Sequence, residues 1–145
     1  MVIGLLLLRF VVGIAMAAHG TQKLFGWFGG PGLSATGQFF TRLGFPPGRR
    51  HALMAGLGET VSGALVAVGF ATPIASAMVV SVMLVAAVSA HVRKGFFVQN
   101  GGYEYAFVLA VATLTLAFTG PGSISIDTIV GLDWGGAFWG IAALL

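Results

Sequence analysis

The chain contains no cysteine and very little charge. Without a thiol it forms no disulfide, holds no metal through thiolate and runs no cysteine-based redox or persulfide relay of its own, so any such chemistry needs a partner. Asp, Glu, Lys and Arg make up 8% of the 145 residues, and hydrophobic residues make up 57%. An ordinary soluble domain carries roughly 25% charged residues. So few charges cannot keep a folded surface wet, and a water-soluble globular domain is excluded. The formal net charge of +3 does not point to nucleic acid, because the basic residues fall between long apolar runs, where they orient a membrane protein. There is no glycine-rich phosphate loop, zinc-protease helix or nucleophile elbow. With three histidines and no cysteine, no metal or haem site is expected.

What is present is a series of apolar runs. The first, residues 2–24, is long enough at 1.5 Å per residue to cross the ~30 Å hydrocarbon core, and only Arg9 interrupts it. Ala15-Met16-Ala17 has the look of a signal-peptidase site. No Lys or Arg precedes the run, however, which reverses a signal peptide's charge order and makes this a retained helix. The second run, residues 52–70, carries one charge, Glu59. The third, residues 73–92, opens on Pro73 and ends at His91, Arg93 and Lys94. The fourth, residues 103–119, is stopped by Gly120-Pro121-Gly122. In the loop between the first two runs, Ser34 is positioned to cap a short helix with Phe39, Phe40 and Leu43 on one face and Gly44 at its end. This helix is expected in the membrane interface, with Trp27 at headgroup depth.

The expected fold is therefore an all-α membrane protein, a bundle of four transmembrane helices with a short interfacial helix between the first two spans. One domain covers residues 1–127, and a tail of residues 128–145, too short to span, lies on the surface or re-enters. Six of the seven basic residues sit in the first and third loops, so the positive-inside rule places those loops in the cytoplasm. The segments 19–30 and 91–102 echo one another: each opens with His, carries Lys near its start, has Phe at the seventh place and closes with Gly-Gly. A real repeat would relate two helical hairpins, with a binding region at their interface.

Arg9 and Glu59 are the charges well inside the spans, and an unpartnered charge at mid-membrane costs roughly 2.5–3.5 kcal/mol. Counting from the cytoplasmic ends puts Glu59 at a depth of ~14 Å and Arg9 at ~21 Å. Arginine's reach covers that difference, so the two are expected to form a buried pair, either a static fastening or part of a proton or ligand site. Gly56 and Gly63 flank Glu59 on one stripe and would let a neighbouring helix approach it. His19 and His91 fall at corresponding ends of spans one and three, with Lys23, Lys94 and Glu104 close in depth. Histidine there can hydrogen-bond a quinone carbonyl, shuttle a proton or simply face headgroups. A pocket is expected where His19, Lys23, His91 and Glu104 converge, walled by Phe25, Phe96 and Phe97. His51, beside Arg49 and Arg50, reads as a headgroup contact.

Taken in order, Arg9, His19-Gly20 with Lys23, Glu59 in its glycine stripe, His91 with Lys94-Gly95-Phe96-Phe97, Gly101-Gly102-Tyr103-Glu104 and Gly120-Pro121-Gly122-Ser123 leading to Ser125-Ile126-Asp127 resemble the DoxX family. The likeness runs from Leu5 to about Asp127. It implies a small four-helix protein of the bacterial inner membrane. In some branches such proteins are subunits of quinone-linked thiosulfate oxidation, and in others they are tied to oxidative and thiol stress beside a superoxide dismutase or a sulfurtransferase. The expected function is thus a redox-associated membrane subunit that binds a quinone or similar apolar ligand and docks a soluble redox enzyme at the cytoplasmic surface. Its contacts are membrane lipid and such an enzyme, not nucleic acid, and homo-oligomerisation stays open. The rival readings are a membrane anchor without chemistry and a small proton-linked transporter using Glu59.

Overall fold

The computed structural model describes residues 2–145, and helices are its regular secondary structure. Helix α1 runs from Val2 to Phe25, α2 from Gly32 to Arg42, α3 from Gly48 to Val68 and α4 from Thr72 to Ala86. A π turn over Ala87–His91 and a 3-10 turn over Val92–Lys94 carry α4 further. Helix α5 spans Glu104–Thr119, and two short helices follow, α6 at Ile126–Ile129 and α7 at Ala137–Ala142. Three helical segments, Val2–Phe25, Gly48–Val68 and Thr72–Lys94, are long and apolar enough to cross a membrane, and Glu104–Thr119 is a shorter apolar helix. At 1.5 Å per residue α5 reaches about 24 Å.

The outward faces are aliphatic and aromatic: Phe10, Val11, Ile14, Met54, Leu57, Ile74, Leu84, Phe107 and Val111 are all exposed. Water would not tolerate such a continuous apolar surface, whereas lipid does. The interior is small by comparison, built from Val12, Met16, Val66, Ala75, Val79, Met83, Leu109 and Leu116. Helix α1 lies along α3, α3 along α4, and α4 along α5.

The α1–α3 contact is a near-contact of backbones. A Cβ built on Gly63 would fall 2.5 Å from the Ala17 nitrogen and 2.6 Å from the Gly13 oxygen, and one on Gly20 would fall 2.5 Å from the Gly56 oxygen. Small residues are thus what allow the helices to meet. Helix α2 folds back onto the start of α3 through Gly37, whose missing Cβ leaves room for the backbone of Arg49. Ser34 does not cap α2. The helix begins two residues earlier, after Pro31, and no side chain caps it. Gly44 does end it with positive φ, and the Phe45 N–H bonds back to the Phe40 carbonyl.

After α5 the chain returns inward. The Asp127 carboxylate is fully buried and caps α4, accepting from the Ala71 N–H at 2.7 Å, the Thr72 N–H at 3.0 Å and the Thr72 hydroxyl at 2.7 Å. Ser125 caps α6 by accepting from the Thr128 N–H. In the tail, α7 turns back against α5, with Gly140 on the ring of Phe118.

Candidate functional site

The close approach of α1 to α3 brings Lys23, in the last turn of α1, to Glu59, and the two form an ion pair. The Glu59 side chain is 3% exposed and that of Lys23 is 28% exposed. Lysine reaches an inner carboxylate while its stem follows the helix surface. The expected Arg9–Glu59 pair is therefore corrected: Glu59 is taken by Lys23, and Arg9 is engaged at the other end of α1. There the Arg9 guanidinium donates to the Pro121 carbonyl at 3.2 Å and to the Ile124 carbonyl, beside Gly69 and within Coulombic reach of Asp127. Its role is to hold the returning loop that carries the Asp127 cap.

Glu59 and Lys23 open onto a cavity of about 750 Å³ bounded by α2, α3 and the second half of α4. Its walls are apolar, with Phe39, Phe40 and Leu43 from α2, Phe45 from the α2–α3 turn, Met54 from α3 and Val85 from α4. The polar members are Lys23, Thr36, Arg42, His51, Glu59, Ser81, Ser89 and His91. The volume lies within the ~300–1,000 Å³ of small-molecule sites, and an apolar chamber with a few placed polar groups is their usual composition. The π turn, Ala87–His91, forms part of the wall through Ser89, Ala90 and His91. Single π turns inside α-helices recur at functional sites because the extra residue re-aims the side chains that follow.

The residues expected to converge divide into two groups. Lys23 and His91 line the cavity, while His19 and Glu104 do not. His19 places Nδ1 3.1 Å from the Gln22 amide oxygen and meets the ring of Tyr105 edge-on at 5.2 Å. Glu104 accepts from the Val98 N–H at 2.9 Å, and His91 Nδ1 lies 2.7 Å from the Gly101 carbonyl oxygen, so both brace the return into α5. The aromatic wall comes from Phe39, Phe40 and Phe45 in place of Phe25, Phe96 and Phe97. Phe96 instead stacks with Phe97, Tyr103 and Phe107, and Phe25 lies against Trp27 on the exposed end of α1.

Sequence reasoning missed His51, Arg42, Thr36 and Ser89 as cavity residues. His51 had a signal in its spacing, since it stands eight residues, about two helical turns, before Glu59. Tyr105, within Coulombic reach of Glu59, had none beyond its place in α5. The echo between segments 19–30 and 91–102 does extend to local structure. Both leave a helix and place a 3-10 turn before the closing glycines, Trp27–Gly29 and Val98–Asn100, with Gly29 and Gly101 at positive φ, but segment 91–102 makes a further 3-10 turn over Val92–Lys94 that the first segment lacks.

Comparison with known proteins finds a family match. The DoxX family profile covers residues 4–92, more than half of the chain and all the elements that enclose the cavity up to His91. No curated protein and no solved structure matches the chain. The chain belongs to the DoxX family, and with its apolar helices it is a multi-pass membrane protein.

Proposed function

We propose that this DoxX-family protein is a redox-associated membrane subunit that holds a quinone or similar apolar ligand in the cavity between α2, α3 and α4. The observation that carries the reading is that the ion pair of a nearly chargeless bundle, Lys23–Glu59, opens into an apolar chamber of about 750 Å³ instead of being sealed in the core. A flat ring with an apolar tail suits phenylalanine walls, and its oxygens suit Lys23 and Ser89. The residues present thus fit a quinone, which would supply two-electron redox chemistry when bound. This chain would contribute binding, orientation and exclusion of water. It has no cysteine to supply electrons, so a soluble redox enzyme docks at the same end. Arg42, Arg49, Arg50, Arg93 and Lys94 are exposed there for an acidic partner face.

The membrane arrangement that goes with this function has four spans, α5 completing the set, and α2 lying in the interface. Loops one and three face the cytoplasm of a bacterial inner membrane. The test is titration of the purified protein with a decyl-substituted benzoquinone and its hydroquinone, together with lipid extraction for co-purifying quinone. Saturable binding of either form is expected, and Ala86→Phe, which fills the cavity, should abolish it while the far-ultraviolet circular dichroism is kept. Binding of neither form, or binding indifferent to Ala86→Phe, would leave a membrane anchor without a ligand as the better reading.

A further inference from the structure

We propose that the cavity selects the hydroxyl form of its ligand, a hydroquinone in preference to the quinone, and that His91 is the residue that sets this preference. The inference rests on the ligand reading above and goes beyond it by assigning an oxidation state. His91 closes the π turn of α4, and its Nδ1 lies 2.7 Å from the Gly101 carbonyl oxygen. A carbonyl oxygen only accepts, so Nδ1 carries the proton and donates it. A neutral imidazole has one such proton, which leaves Nε2 with a bare lone pair. Among the described residues no protein group bonds that second nitrogen, and His91 lines the cavity.

The acceptor that fixes this tautomer is itself held in place. Gly101 has φ +76°, and a Cβ on Gly102 would fall 2.6 Å from the Phe96 carbonyl carbon, so the return loop has little freedom to turn its carbonyl away. Glu104 pins the same loop through the Val98 N–H. Glu59 also borders the cavity, but there its carboxylate is taken by Lys23, which engages Oε2. Lys23 donates to the oxygen of either oxidation state. Ser89 rotates to suit either, and Thr36 and Ser81, which here donate to the Gly32 and Ala77 carbonyls, can turn that proton toward a ligand, so none of them is a fixed acceptor. The discriminating contact is His91 Nε2. A hydroquinone hydroxyl donates to it, whereas a quinone carbonyl sets acceptor against acceptor and leaves both unsatisfied in an apolar chamber.

The experiment is isothermal titration calorimetry of the full chain in detergent at pH 8 under argon. The probes are the decyl-substituted benzoquinone and its chemically reduced hydroquinone. The hydroquinone is expected to bind about tenfold more tightly, equivalent to ~1.4 kcal/mol. His91→Leu should bring the two affinities together, and His91→Gln, whose amide oxygen can accept, should keep part of the ratio. A merely structural role for His91 would weaken both ligands alike and leave their ratio unmoved. Equal or tighter binding of the quinone by the unmodified protein would overturn the preference while leaving the cavity reading intact. A ratio unchanged in His91→Leu would overturn the role of His91, and binding of neither form would overturn both proposals.

Discussion

Removing one member of the Lys23–Glu59 pair should have consequences that depend on which member is removed. Breaking a buried ion pair costs roughly 3–5 kcal/mol when the survivor stays charged and unpaired. Lys23→Ala leaves Glu59, whose side chain is 3% exposed, in that position, and the cavity beside it lets some water in. We therefore expect a loss near the lower limit, about 3 kcal/mol. Glu59→Gln leaves the lysine, which is 28% exposed and stands in the last turn of α1. Its four-carbon stem can swing the ammonium to the interface, so the loss should be only about 1 kcal/mol. The double replacement buries no orphan charge, and the coupling should be about 2 kcal/mol in a double-mutant cycle. The assay is reversible unfolding in mixed detergent micelles followed by far-ultraviolet circular dichroism. Equal losses for the two single variants, or additive losses in the double, would refute the account of an inner carboxylate served by an outer lysine.

Three further outcomes follow from named contacts. Arg9→Gln should cost roughly 2–3 kcal/mol through its lost charge-assisted bonds to the Pro121 and Ile124 carbonyls; in the same unfolding assay, combination with Glu59→Gln should be additive within ~0.5 kcal/mol, because the two residues share no partner. Gly63→Ala should cost roughly 1–3 kcal/mol, since the new Cβ meets backbone atoms of α1 at 2.5 and 2.6 Å. Gly58→Ala is its control, because its Cβ would meet only the Val82 side chain at 3.5 Å, and it should be neutral or gain up to ~1 kcal/mol in thermal stability. Single cysteines at Arg42 and Lys94 of this cysteine-free chain should resist an impermeant thiol reagent applied outside intact cells, and labelling of both would reverse the proposed orientation.

The long helices were legible because hydrophobic run length is a local property. Expected runs 2–24 and 73–92 became Val2–Phe25 and Thr72–Lys94. Helix α3 starts four residues before the expected run because Gly48, Arg49, Arg50 and His51 are polar or small and carry no apolar signal. The glycines beside Glu59 were also readable, since a helical stripe of small residues carries its own packing consequence. Three things had no local sign. The π turn depends on how α4 meets its neighbours, the tautomer of His91 depends on a carbonyl ten residues away, and the cavity depends on α2 folding back over α3. The apolar face of α2, with Phe39, Phe40 and Leu43, is the pattern expected of an interfacial helix, and the same pattern serves equally well as a cavity wall.

The misplaced pairing of Arg9 and Glu59 shows why depth alone is a poor guide to partners inside a membrane. The sequence announces only side-chain charges as partners, yet the groups that take the terminal nitrogens of Arg9 are backbone carbonyls freed by the Gly120-Pro121-Gly122 break, more than 110 residues away. Carbonyls left over at a helix end are acceptors that no residue type announces. Once they are counted, the two charges separate by task. Arg9 is closed in by the loop whose Asp127 caps α4, so it fastens the end of the bundle where α3 hands over to α4. Glu59 is balanced by a lysine that can move and borders a chamber large enough for a ligand. Arg9 spends both terminal nitrogens on fixed acceptors in a closed site, whereas the Glu59 charge is shared between a partner on a flexible stem and an open cavity.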